Sequence, residues 1–106
     1  MKLILLALLE LKDTSHFFIV LKKGMNKYSE VAILPEFRDT AHIGDLENTL
    51  YEALMNREME KSIQAIDSLR LAYNTFGKRP TRTERGRFEM IQFLVELEET
   101  IMVAST

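Results

Sequence analysis

The first third of the chain contains three apolar runs. Residues 2–11 are apolar on both alternating faces, which fits either a strand covered on both sides or a short buried helix. Residues 16–21 and 28–34 are rich in aromatic and β-branched side chains, a composition that favours strands. We therefore expect residues 1–35 to form a three-stranded antiparallel meander.

The polar stretch between the second and third runs predicts the tip of a β-hairpin. Gly24 and Asn26 readily accept a positive φ, which tight turns require. Lys22, Lys23 and Lys27 would hold this tip in water, and they form a basic cluster there.

The middle of the chain has the apolar period of a helix. Pro35 ends the strand region, and the aperiodic stretch after it predicts a crossing loop. Asp45 is expected to cap a helical segment over residues 45–76. The apolar positions of this segment form two stripes: Leu46, Leu50 and Leu54, then Met59, Ile63, Ile66, Leu69, Tyr73 and Phe76. Because the stripes are slightly out of phase, the segment is either one helix bent near Asn56 and Arg57 or two helices that meet there.

A long helix is predicted over residues 81–104. Gly77 and Pro80 end the preceding helix, and the sequence Thr-Arg-Thr-Glu that starts at Thr81 fits a capping box. The helix carries two apolar stripes: Met90, Leu94, Leu97, Ile101 and Ala104, and Phe88, Ile91, Val95 and Met102. A helix with one wet face needs only one stripe. We therefore expect it to pack on the sheet and also on another helix, contributed by a second copy of the chain in a homo-oligomer.

Length and composition favour a single domain over residues 1–106, and the predicted strands and helices make it an α+β domain. The chain is 46% hydrophobic and 28% charged, as folded proteins are and disordered chains are not. Its 106 residues suffice for one core but not for two. The absence of cysteine excludes a disulfide scaffold, a Cys-ligated zinc site and a thiol nucleophile.

The start of the chain imitates a secretory signal, because Lys2 precedes an apolar stretch. Glu10 and Lys12 interrupt that stretch, and no small-residue cleavage pattern comes before Asp13. The stretch is also far shorter than the roughly 18 apolar residues that cross a bilayer. We expect a cytoplasmic protein that does not enter a membrane.

The most distinctive chemical feature is an Arg-rich turn over residues 78–87. The turn contains one acidic residue, Glu84, and five basic residues: Lys78, Arg79, Arg82, Arg85 and Arg87. Several of them lie at a predicted helix N-terminus, where each positive charge costs a few tenths to about 1 kcal/mol. An anion held by guanidinium groups and backbone amides explains this arrangement. The alternative is a solvated loop whose arginines pair with nearby glutamates.

The nature of the partner depends on where the two basic clusters lie. A net charge of −2 argues against general coating of nucleic acid. If the fold brings the lysine cluster beside the Arg-rich turn, a continuous positive face results. We expect an acidic protein surface to bind there, with the phosphates of a nucleotide or a nucleic acid as the alternative.

No pattern in the sequence predicts catalysis, a metal site or a cofactor. Asp39, His42 and Asp45 recur every third residue, but this spacing matches no familiar metal signature. His16 follows Ser15 without a nucleophile elbow, so we expect a partly buried strand histidine. The chain is expected not to be an enzyme.

The C-terminal segment is similar to part of a known group of proteins. Residues 89–104, with Leu94, the triplet Leu97-Glu98-Glu99, Met102 and Ala104, resemble the end of the helical hairpin shared by some phage anti-defence proteins that sequester cyclic nucleotide signals. The resemblance covers roughly a sixth of the chain. It implies a small, oligomeric, non-enzymatic protein.

The sequence thus predicts a small non-catalytic interaction protein of the inhibitor or adaptor type. It would engage an acidic protein surface through its basic turn. The alternative is a phosphate-recognising module, of which a phage anti-defence sequestering protein is one example.

Overall fold

Five helices make up the described part of the chain, which in this computed structural model comprises residues 14–38, 42–76 and 84–104. In chain order they are α1 (Thr14–Ala32), α2 (Pro35–Arg38), α3 (Ile43–Met55), α4 (Met59–Phe76) and α5 (Glu84–Ala104). No strand occurs within these residues, so the predicted α+β class with a three-stranded meander is wrong. The first apolar run, residues 2–11, lies outside the described residues.

The second apolar run and most of the third, which we predicted as strands, belong to the single helix α1, which ends at Ala32. Its buried side chains Phe17, Leu21 and Met25 are spaced by four residues, the period of a helix and not the alternation of a strand. The lysines of the predicted hairpin tip are exposed, and Gly24 is buried within the helix and makes no turn. The hairpin prediction is wrong because a period sustained over 19 residues outweighs the local strand preference of aromatic and β-branched side chains.

The predicted crossing loop contains a short helix and the start of α3. Pro35 is the first residue of α2, a position where its missing N–H is not needed. α3 begins at Ile43, preceded by His42 in the left-handed conformation at φ 54° and ψ 33°. The capping role predicted for Asp45 is therefore wrong. Asp45 lies in the first turn, and its carboxylate is 3.9 Å from Nδ1 of His42.

Two helices, α3 and α4, occupy the segment that the sequence assigned to one bent helix or two. α3 ends in a Schellman-type turn, in which the N–H of Glu58 donates to the carbonyl of Ala53 over 2.8 Å and that of Arg57 donates to Leu54 over 3.1 Å. Arg57 itself has a φ of 56°. The left-handed backbone conformation of Arg57 thus reverses the chain direction, although neither Gly nor Pro is present at this turn. As a result, α3 packs on α4.

Helix α5 packs against α1 and α4 of its own chain. Met90, Leu94 and Leu97, all from the first predicted stripe, are completely buried. Packing on a sheet, as we predicted, is wrong because the partners are helices. The helix stop at Gly77 and the capping box that starts at Thr81 lie outside the described residues.

One apolar core joins the four long helices. Each contributes fully buried side chains, for example Leu21, Leu50, Leu69 and Leu94. Burial of one such leucine stabilises a fold by about 1.5–3 kcal/mol. The buried polar residues among those described are few: Ser29, Glu47, Ser62 and Thr100. Two of them, Ser29 and Glu47, belong to a network described below.

Candidate interaction surface

The solvent-facing side of α1 is basic. Lys22, Lys23 and Lys27 are all exposed, within two turns of one another. Ile19 lies one turn earlier and is 50% exposed, although the apolar residues on the opposite side of α1 are buried. Because residues three and four apart are neighbours on a helix surface, Ile19 lies next to Lys22 and Lys23.

A groove separates this side of α1 from residues 88–96 of α5. Its volume is about 430 Å³, and it is lined by Lys27 and Tyr28 from α1 and by Phe88, Glu89, Gln92, Phe93 and Glu96 from α5. The rings of Tyr28 and Phe93 are 5.2 Å apart, and the ammonium of Lys27 lies 5.5 Å from the ring centroid of Tyr28. The groove therefore combines aromatic walls with charges of both signs.

The two described arginines of the Arg-rich turn lie in the first turn of α5. The Nε of Arg85 donates to Oε1 of Glu89 over 3.2 Å, and the Arg85 side chain is 88% exposed. Nη1 of Arg87 donates to Oδ1 of Asn74 over 3.5 Å, and its Nε is buried without an acceptor among the described residues. Glu89 contacts the groove that Lys27 lines, so Arg85 and Lys27 lie on the same side of the molecule.

The structure therefore brings part of the predicted basic site together. Lys22, Lys23 and Lys27 are in the middle of a helix and not at a hairpin tip, and Lys27 faces the start of α5. Lys78, Arg79 and Arg82 lie outside the described residues. Arg85 pairs with a glutamate, as the solvated-loop interpretation expects, while its high exposure leaves it accessible.

A second aromatic groove lies on the other side of α1, toward α3. It measures about 290 Å³ and is lined by Ser15, Phe18, Lys22, Tyr51 and Met55. The ammonium of Lys22 lies 5.4 Å from the ring centroid of Tyr51, a distance typical of a cation–π contact. The basic side of α1 is thus bordered by an aromatic groove on each flank.

A buried polar network ties the short helix α2 to three of its neighbours. The guanidinium of Arg38 donates through Nη1 to Oγ of Ser29 and, over 2.5 Å, through Nη2 to Oε1 of Glu47. The hydroxyl of Tyr73 donates to the same Ser29 oxygen over 3.0 Å. One arginine thereby links residues of α1, α3 and α4 around a carboxylate that is only 5% exposed.

Burial controls the ionisation of this network and of Tyr51, which is close enough to feel the charge of Glu47. Burial raises the pKa of Glu47, and the opposing influence of the Arg38 charge is smaller. Burial together with the nearby Glu47 carboxylate raises the pKa of Tyr51 to about 12. The pKa of Tyr73 is raised as well, again mainly by burial. Burial thus favours the neutral form of both phenols.

No pattern in the sequence predicted that Arg38, Glu47, Ser29 and Tyr73 form a group. The available signal was the helical position of Ser29 and Tyr73, each of which falls on the apolar stripe of its helix. A serine in such a stripe needs a hydrogen-bond partner. Nothing in the local pattern shows that this partner is an arginine from a separate short helix.

The described residues carry no arrangement typical of a metal site. No group of three or more His, Asp or Glu side chains in residues 14–38, 42–76 and 84–104 is placed to hold an ion. Asp39, which belonged to the candidate metal set, lies outside those residues. His16, expected as a partly buried strand histidine, is instead exposed on α1.

Comparison with known proteins does not add to these observations: no protein-family model, curated protein or solved structure matches the chain. Among the described helices, none is both long enough and apolar enough to cross a membrane.

Proposed function

We propose that this chain is a cytoplasmic, non-catalytic interaction protein that binds an acidic segment of a protein partner. The binding surface is the basic face, defined as Ile19, Lys22, Lys23 and Lys27 of α1 together with Arg85 of α5. The observation that carries the proposal is the half-exposed Ile19 beside exposed lysines. An apolar anchor bordered by cations matches a partner segment with an apolar side chain flanked by carboxylates.

The charges around the basic face favour a protein over a polyphosphate. Glu30 lies on the exposed side of α1, and Glu89 and Glu96 line the neighbouring groove. A phosphate chain, which is negative along its whole length, is repelled by these carboxylates. A protein segment can place its own carboxylates on the lysines and neutral side chains beside the glutamates.

The proposal is tested with a fluorescent amphipathic peptide rich in glutamate and leucine. Its binding is compared with that of the same peptide carrying glutamine for glutamate, a single-stranded RNA and a cyclic dinucleotide. We expect the acidic peptide to bind best and its affinity to fall with added salt, since exposed charges are screened. Replacing Lys22, Lys23 and Lys27 together by Gln should weaken binding roughly tenfold, because each exposed pair contributes about 0.2–1 kcal/mol.

The matched control is Lys61→Gln, which removes an exposed lysine from α4, outside the basic face. Its affinity for the acidic peptide should equal that of the wild type. Binding of RNA or the cyclic dinucleotide in preference to the acidic peptide would contradict the proposal and favour the phosphate-recognising alternative. Equal binding of the acidic and the glutamine peptide would contradict it too.

A further inference from the structure

The side of α5 that points away from the core carries a row of exposed apolar side chains. Phe88 is 68% exposed and Met102 is 51% exposed, and Val95 between them is partly exposed. The three are spaced by seven residues, which is close to two helical turns, so they lie along one line of the helix. They belong to the second predicted stripe, whose fourth member, Ile91, packs against the core.

The row is symmetric about Val95. Phe88 lies seven positions before it and Met102 seven positions after it. When two identical helices pair in antiparallel fashion around a two-fold axis at Val95, each Phe88 meets the partner's Met102. The two Val95 side chains then meet each other. Sulfur–aromatic contacts of this kind are favourable.

The charges of α5 select the antiparallel orientation. Its first half carries both signs, with Glu84 and Glu89 beside Arg85 and Arg87, whereas all charges of its second half are negative: Glu96, Glu98 and Glu99. A parallel pair would place each charge beside its own copy, and like charges in contact oppose association. An antiparallel pair avoids this repulsion, because it places the acidic half of one helix beside the first half of the other, whose charges sum to zero.

We infer that the outer face of α5, formed by Phe88, Val95 and Met102, binds the same face of a second copy of this chain in an antiparallel dimer centred at Val95. In that register Gln92 lies close to the partner's Glu99, so an amide donor faces a carboxylate. The helix has 21 residues and is thus about 31 Å long. One helix pair of this length buries less than the roughly 800 Å² per partner of a standard interface. We therefore expect dissociation constants in the micromolar range or weaker.

Disulfide trapping tests the register directly, because the chain contains no cysteine of its own. The variant Val95→Cys should form a covalent dimer under mild oxidation, since a residue at the two-fold axis meets its own copy. Phe88→Cys and Met102→Cys should each remain largely monomeric alone and cross-link when the two are mixed. The control Leu71→Cys, at an exposed leucine of α4, should not cross-link in any mixture.

Any other pattern of cross-links overturns the inference. Phe88→Cys that cross-links with itself as fast as with Met102→Cys indicates a parallel pair. Val95→Cys that reacts no faster than Leu71→Cys indicates that the face does not pair.

Sedimentation equilibrium of the chain without cysteine substitutions provides a second measurement, taken up to several hundred micromolar. We expect the mean mass to rise with concentration. Val95→Glu should raise the dissociation constant by more than roughly tenfold, because it sets two carboxylates against each other at the axis. Leu71→Glu should leave the dissociation constant unchanged. A constant monomer mass for the unsubstituted chain would refute the dimer.

The dimer and the proposed function can fail independently. The basic face lies on α1 and includes only Arg85 from α5, so peptide binding and dimer formation are measured with different substitutions. Loss of the dimer in Val95→Glu with unchanged affinity for the acidic peptide is the expected outcome.

Discussion

Glu47 places a carboxylate where water is largely excluded, with Arg38 as its ionic partner. The attraction between two charges is strong in such a setting, but the cost of removing them from water is of similar size. In this network the cost of removing the carboxylate from water exceeds its attraction to Arg38, because the pKa of Glu47 is raised in spite of that charge. The folded state therefore binds the Glu47 proton more tightly than the unfolded state does.

The resulting prediction concerns stability as a function of pH. Above the ordinary value of 4.5 the unfolded chain releases this proton, while the folded chain retains it until the pH passes the raised pKa. The unfolded state thus binds fewer protons in that window, and the free energy of unfolding decreases as the pH rises. Glu47→Gln cannot ionise, so as the pH rises from 4.5 through the raised pKa of Glu47 the wild type should lose stability relative to this variant.

Urea denaturation of both proteins across this range measures the difference, and subtraction removes the contributions of other titrating groups. Glu89→Gln is the matched control, because it makes the same substitution at a glutamate whose side chain is 41% exposed at the surface of α5. A wild type that gains stability over Glu47→Gln with rising pH would show that the Arg38 ion pair outweighs the cost of burial.

The backbone conformation of Arg57, at the turn between α3 and α4, is unfavourable for a residue with a side chain. Its φ of 56° lies in the left-handed region, which disfavours residues with a Cβ by roughly 1–2 kcal/mol. Arg57→Gly should therefore increase the free energy of unfolding by about 1 kcal/mol, since glycine is the usual residue at this position of a Schellman turn. Arg57→Ala removes the same exposed side chain but keeps the Cβ, so it should not stabilise. Equal stabilisation by both variants in thermal unfolding would trace the effect to the side chain instead.

At the scale of elements, α1 shows what sequence patterns can and cannot decide. Local composition predicted a strand where the structure has a helix. Taken alone, the aromatic and β-branched residues of the segment favour strands: Phe17, Phe18, Ile19 and Val20. The decisive signal was the spacing of Phe17, Leu21 and Met25 across the supposed hairpin tip, with the lysines on the other side of the helix. Such a period is visible only when the segment is treated as one element of 19 residues.

A proline substitution distinguishes the two structures experimentally. Lys23 is exposed in the interior of α1, so its side chain contributes little packing. In a helix interior Lys23→Pro removes a backbone hydrogen bond and clashes with the preceding turn, which should cost about 3 kcal/mol or more. Lys23→Ala should change stability by less than about 0.5 kcal/mol. A well-tolerated proline, measured by urea denaturation followed by circular dichroism, would be the result expected of a hairpin tip and would contradict the helix.

The second half of the chain was more predictable because its helical period is unambiguous. The stripe of Ile66, Leu69 and Tyr73 is fully buried in α4, and the break near Arg57 lies where the stripes change phase. Helix starts were less predictable. Asp45 has the side chain of a typical N-cap, but α3 already starts at Ile43. The residue before the helix is His42, which adopts a left-handed conformation.

For the molecule as a whole, sequence reasoning found charged residues but not their arrangement. It named Lys22, Lys23, Lys27 and Arg85 as candidates, and in the structure all four are exposed. Their common face depends on the packing of α1 against α5, two helices distant in sequence. The Arg38 network depends in the same way on tertiary contacts. No local pattern encodes such contacts, so neither arrangement was accessible before the fold was known.

The pairing of distant helices also bears on how the chain folds. α3 and α4 are joined by a turn of three residues, so they dock with little loss of loop entropy. The contact of α1 with α5 and the hydrogen bond from Tyr73 to Ser29, which are 44 positions apart, must close long loops first. Contacts of that kind slow folding. We therefore expect α3 and α4 to form the nucleus, with α1 and α5 closing over it last and separating first when the chain unfolds.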